Sequence, residues 1–69
     1  MSANLSQCLI EDSSYLSVRD RVIRRAKKRE WLLTNGGVEH VNWETSFHQF
    51  YDYYWTDSKE TLILMKLSV

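Results

Sequence analysis

The chain has 69 residues, with nine basic and nine acidic side chains that cancel to no net formal charge at pH 7. That length allows one small domain, residues 1–69, which buries only roughly 60% of the surface its unfolded chain exposes and leaves little room for a substrate cavity. The lone cysteine, Cys8, excludes an internal disulfide, and Cys8, His40 and His48 lack the spacing of a zinc site.

These features point away from an enzyme, a metal, a cofactor or a small-molecule substrate. Ser, His and Asp are present, but no nucleophile elbow and no Cys–His pair at a telling spacing arranges them. A single free thiol suits a reducing cytoplasm. The longest apolar run, Leu62 to Met65, falls far short of the ~20 residues a membrane span needs, so no membrane association is expected. The aromatic side chains Trp31, Trp43, Trp55, Phe47 and Phe50, with four tyrosines, are read mainly as core.

The neutral total hides a segregation. Arg19, Arg21, Arg24, Arg25, Lys27, Lys28 and Arg29 crowd one segment that holds only Asp20 in opposition, six net positive charges. The rest of the chain sets Lys59 and Lys66 against eight carboxylates, six net negative charges. A basic segment on an acidic body is the mark of a polyanion-binding face.

In chain order, Met1 to Asn4 reads as a loose end. Leu5 to Tyr15 carries Leu5, Leu9 and Ile10, with Cys8, at helical spacing, which predicts a first short helix ending in the connection Glu11-Asp12-Ser13-Ser14. Ser17 is an N-cap candidate, and Asp20 three residues on completes a box-like start to a helix from Val18 to about Arg29. With Val18 at zero on the wheel, Val22 lies near about 40°, Ala26 near about 80° and Ile23 near about 140°, an arc that would seat the helix on a core. Arg24, Lys28, Arg21 and Arg25 fall from about 240° to about 340°, which would make them an outward ridge. Arg19 falls in the apolar arc but can snorkel out.

Trp31 to Thr34 reads as a strand, Asn35-Gly36-Gly37 as a tight hairpin turn, and Val38 to Trp43 as the return strand. Phe47, Phe50, Tyr51 and Tyr54 have i, i+3, i+4, i+7 spacing, which predicts a further helix from about Ser46 to Trp55. The carboxylates Glu44, Asp52, Asp57 and Glu60 are expected to solubilise the surface. Asp57-Ser58-Lys59-Glu60 fits a capping box for a helix from Ser58 to about Leu67, but Thr61, Ile63 and Val69 are β-formers and such a helix would be apolar nearly all round, which tips the reading toward a buried strand. Either way the apolar run needs cover, and Thr61 to Leu67 is a candidate for self-association.

Helix, basic helix, hairpin and closing helix make an α+β layout, that of a small winged helix-turn-helix. The stretch "SVRDRVIRRAKKREWLLTNGGVEHVNWETSFHQFYDYY", Ser17 to Tyr54, resembles the small excisionase-like proteins of phages and mobile elements, relatives of the MerR DNA-binding head. Ser17, Arg21, Val22, Arg24 and Arg25 fall where that family has its recognition helix, and Asn35, Gly36 and Gly37 fall at its wing tip. "NLSQCLIEDSSYL" is a faint echo of the family's usual opening, and the apolar tail from Thr61 has no counterpart in it. The resemblance implies binding and bending of double-stranded DNA, with a recombinase as partner, or a role as a small transcriptional regulator.

On that reading Arg21, Arg24 and Arg25 contact bases, while Arg19, Lys27, Lys28 and Arg29 hold phosphates. Backbone amides at Asn35, Gly36 and Gly37 would approach a phosphate, joined by protonated His40. A second reading is a protein-interaction factor that turns its basic helix against an acidic partner. RNA binding would require aromatic side chains exposed on a sheet, and most here have helical spacing.

Overall fold

The computed structural model describes residues 5–69; the loose end expected at Met1 to Asn4 lies outside the described residues. The elements are β1 (Gln7–Asp12), α1 (Val18–Trp31) running on into a π-helical turn (Leu32–Gly36), β2 (Trp43–Phe47), β3 (Tyr51–Thr56) and α2 (Lys59–Ser68). The sheet order is β1-β3-β2, with β3 antiparallel to both neighbours. β1 and β2 therefore run the same way on either side of β3, with α1 as the crossover between them, a split β-α-β with a hairpin partner.

The α+β class stands, and several elements differ from expectation. Leu5 to Tyr15 is not a helix: it forms β1, whose partner β3 pairs with it from Asp12↔Tyr51 to Gln7↔Thr56, far off in sequence. Cross-strand pairing overrides a weak helical period in a segment that short. α1 begins as expected, with the Ser17 hydroxyl accepting from the Asp20 amide at 3.1 Å.

The strand and hairpin expected across Trp31 to Trp43 are replaced by the end of α1 and a set of turns. Thr34 Oγ1 donates to Glu30 O at 3.1 Å and Asn35 Nδ2 to Trp31 O at 3.2 Å, which keeps the backbone helical through Gly36. Gly37 then ends it at φ 101°, and a side chain there would collide with Asn42. The Asn-Gly-Gly sequence is thus a helix stop rather than a wing tip, since both roles call for positive φ.

The helix expected from Ser46 to Trp55 is the β2–β3 hairpin. "YDYYWT" alternates as well as it coils: Asp52, Tyr54 and Thr56 turn inward and are buried, while Tyr51, Tyr53 and Trp55 take the other face. The tail is the capped helix and not the strand the β-formers favoured. Ser58 Oγ accepts from the Thr61 amide at 3.4 Å, and Leu62 and Met65 are its buried side chains.

Both helices lie on one face of the sheet. The core joins Leu32, Trp43, Tyr54, Leu62 and Met65, with Leu9 and Trp31 packed against it. Trp31, Phe47, Phe50 and Tyr54 do not bury together as expected, because Phe47 and Phe50 are exposed.

Candidate interaction surface

α1 sits on the sheet the opposite way round from the expected one. Five of its seven cations turn to acceptors of the chain itself, and its aliphatic side chains face solvent. Two carboxylates cause this. Glu11 of β1 and Asp52 of β3 are register partners on the inner face, a like-charged pair that is unfavourable alone. The cations of α1 neutralise them.

Arg25 Nε donates to Asp52 Oδ1 at 2.8 Å, with Nη2 at 2.6 Å from the same oxygen. Arg24 Nε lies 3.3 Å from Glu11 Oε2, and Lys28 Nζ lies 3.4 Å from Glu11 Oε1 and 3.0 Å from Val69 O. Lys28 and Asp52 are each only 1% exposed. Arg21 Nη1 donates to Gln49 O at 2.5 Å and Arg25 Nη2 to His48 O at 3.0 Å, so two arginines also cap the β2–β3 turn. Arg29 pairs with Glu39 at 2.9 Å.

The long arginine stems cover aromatic rings on the way. The Arg25 guanidinium stands 4.8 Å over the Phe47 ring and that of Arg29 stands 5.9 Å over Trp43, where ring quadrupole and cation attract. Asp52, expected to solubilise the surface, is instead the buried anchor of this network. Its hydrogen bond holds the Arg25 guanidinium more firmly protonated than usual. Burial, and then the negative charges of Asp52 and Glu11, push the Tyr54 phenol above its ordinary value.

Of the sequence-predicted site residues, Arg21, Arg24, Arg25, Lys28 and Arg29 are brought together against the chain's own acceptors. Arg19 and Lys27 point outward and have no ion-pair partner among the described residues. Asn35, Gly36 and Gly37 lie at the far end of α1 rather than on a hairpin.

Side chains that sequence reasoning assigned to the core make the outward surface. Val18 is 69% and Val22 58% exposed; Ile23, Ala26 and Leu33 are exposed beside them. Arg19 and Lys27 border this stripe, with exposed Asp20 and Glu30 beside them. The signal that could have found it is the pair of acidic positions Glu11 and Asp52, each in a strand-compatible alternation and each needing a cation.

Among the described residues no group of histidine, cysteine and carboxylate side chains could hold a metal ion, and no helix is long and apolar enough to cross a membrane. No family model, no curated protein and no solved structure matches the chain.

Proposed function

We propose that this chain is a protein-interaction module whose docking surface is the outer side of α1, and that its partner is an acidic protein offering an apolar groove. The observation that carries this reading is the inverted seating of α1: cations bound inward, Val18, Val22, Ile23 and Ala26 laid open. Contiguous exposed apolar surface rimmed by polar groups marks interaction sites. Val18, Val22 and Ala26 repeat at i, i+4, the anchor spacing of a helix entering a groove. Arg19 and Lys27 at the rim favour carboxylates on the partner, and exposed Asp20 and Glu30 beside them fix its orientation.

Affinity capture from cells that make the chain tests this, with wild type beside Val22→Glu and Arg24→Ala. An acidic protein held by wild type and Arg24→Ala, and lost with Val22→Glu, is the expected result. Equal capture by Val22→Glu overturns it.

A second reading keeps the duplex DNA partner that the excisionase-like resemblance implies. Exposed Arg19 and Lys27, with half-exposed Arg24 and Arg29, favour it, because these cations can reach phosphates. Base reading by Arg21 or Arg25 would require them to leave Gln49, His48 and Asp52. Band shifts on duplex DNA that weaken steeply with salt and vanish in Arg19→Ala/Lys27→Ala support that reading; absence of any shift at low salt removes it.

A further inference from the structure

The two edges of the sheet are not alike. Ser13 N donates to Phe50 O at 2.7 Å, which fixes the phase of the β1–β3 ladder. Along an antiparallel ladder, pairs that exchange hydrogen bonds alternate with pairs that do not. Glu11↔Asp52, Leu9↔Tyr54 and Gln7↔Thr56 therefore exchange them, and Cys8, Ile10 and Asp12 turn their N–H and C=O groups away from β3. Among the described residues no other backbone group pairs with these three. The β2 edge is blunted instead. His40 N donates to Trp43 O at 2.7 Å and Glu39 bridges to Trp43 at its start, and the Arg25 guanidinium stands over Phe47 at its end.

A furrow follows the free edge of β1. Beside Gln7, Cys8 and Leu9 its other wall is Leu62 and Ile63 of α2, with Lys59 and Lys66 on the same side of that helix. Beside Ile10, Glu11 and Asp12 it continues past Lys66 to Arg24. The first half is lined by two cations and no carboxylate. The carboxylates nearby are engaged or turned elsewhere. Glu11 is held by Arg24 and Lys28. Asp12, bordered by Lys66 in the second half, accepts from the Ser14 amide at 2.8 Å. Asp57 accepts from Asn42 at 3.2 Å. Glu60 falls about 100° round α2 from Lys59, on the side of Leu64 and Leu67. Lys59 and Lys66 have no ion-pair partner among the described residues.

A row of unpaired main-chain donors and acceptors is matched by another strand, and the furrow selects the side chains of that strand. Lys59 and Lys66 are separated by a rise of about 10 Å. Residues i and i+4 of a strand lie about 13 Å apart on one face, so carboxylate side chains at both positions reach the two ammonium groups, and residue i+2 between them drops onto Leu9, Leu62 and Ile63. We infer that the free edge of β1 takes up an extended segment of another protein as a fourth strand, with an apolar side chain over Leu9, Leu62 and Ile63 and a carboxylate on either side of it against Lys59 and Lys66. The site uses none of the aliphatic stripe of α1 and stands independently of it. The β1 strand of a second copy fits it badly. Antiparallel pairing through Cys8, Ile10 and Asp12 of both copies centres on Ile10, and Lys66, which borders Ile10, would face the Lys66 of the second copy across that centre, where like charges repel.

Amide NMR of the full chain, titrated with the capped synthetic peptide Thr-Glu-Val-Leu-Val-Glu-Thr, tests this. One control peptide has proline in place of leucine, which blocks strand pairing, and another has lysine in place of both glutamates. The first peptide is expected to bind saturably and to slow hydrogen exchange at Cys8, Ile10 and Asp12 several-fold. The proline peptide does not bind, and the lysine peptide binds several-fold more weakly. Lys59→Glu/Lys66→Glu, at two exposed positions, weakens the glutamate peptide several-fold while amide shifts away from the furrow stay as in wild type. Val22→Glu binds the peptide as wild type does.

Absence of saturable binding overturns the inference and leaves Lys59 and Lys66 as guards against edge pairing. So does binding that leaves exchange at Cys8, Ile10 and Asp12 unchanged, and so does equal affinity for the glutamate and lysine peptides. A chain that dimerises without peptide and protects the same three amides makes the second copy the occupant and overturns it as well. A partner captured by wild type and lost with Val22→Glu, in a chain that ignores the peptide, keeps α1 as a docking surface and removes only the strand site.

Discussion

The two helices rest on the same face of one sheet by opposite chemistry. α2 buries Leu62 and Met65 against Tyr54 and Trp43 while Ile63, Leu64 and Leu67 stay exposed, and a serine cap starts the helix. α1 is attached by guanidinium and ammonium groups that reach Glu11, Asp52 and turn carbonyls, and it leaves its aliphatic side to solvent. The contrast shows that an amphipathic pattern states which residues share a side and leaves open which side faces in. A sheet that presents two carboxylates inward selects the cationic side.

Substitutions that weaken one attachment and spare the other sharpen the contrast. The largest effect belongs to α2. Met65→Ala empties a fully buried site and is expected to cost about 3 kcal/mol in chemical denaturation, with little dependence on salt. Asp52→Ala comes next. It strips Arg25 of its buried carboxylate and is expected to cost about 2 kcal/mol, below the usual loss for a broken buried pair because Arg25 still reaches water. Hydrogen exchange then quickens along α1 and stays slow in α2; equal acceleration in both helices breaks the distinction. Arg24→Ala removes a pair whose arginine side chain is 41% exposed and is expected to cost under about 1 kcal/mol, disappearing in high salt.

The smallest effect is at Tyr54. Its hydroxyl is buried with no hydrogen-bond partner among the described residues, so Tyr54→Phe is expected to change stability by less than about 1 kcal/mol at neutral pH. The same variant alters the alkaline limb. The folded phenol titrates above its unfolded value of about 10, so its contribution is fully present below pH about 10 and is lost as pH climbs toward the folded value. Ultraviolet titration should show a late tyrosine component that is absent in Tyr54→Phe, and that variant should flatten the alkaline part of the stability curve. A tyrosine signal that ionises all at once near pH 10 would contradict the burial of this ring.

What was legible in the sequence follows from how local each signal is. Ser17 with Asp20 is a contact three residues apart and marks the start of α1; the Ser58–Thr61 contact is as local, yet the β-formers of the tail masked it. Strand identity was harder. Phe47, Phe50, Tyr51 and Tyr54 keep helical spacing, yet Tyr51, Tyr53 and Trp55 also alternate, and β1, far away in sequence, decided between them. The Asn35-Gly36-Gly37 signal marked positive φ correctly at Gly37 alone, since Asn35 and Gly36 stay helical, and its purpose wrongly. The interaction surface was hidden by the same distance: only pairing Glu11 with Asp52 across strands explains why Arg25 and Lys28 turn inward, and neither carboxylate is near α1 in sequence.

Methyl relaxation by a soluble paramagnetic probe tests the seating of α1 most directly. The Val18, Val22 and Ile23 methyls should relax strongly while those of Leu32 and Leu62 stay protected. Val22 and Ile23 methyls as protected as Leu32 would mean a helix turned half way round, with Arg21, Arg24 and Arg25 outward as a basic ridge and the docking surface proposed for α1 gone.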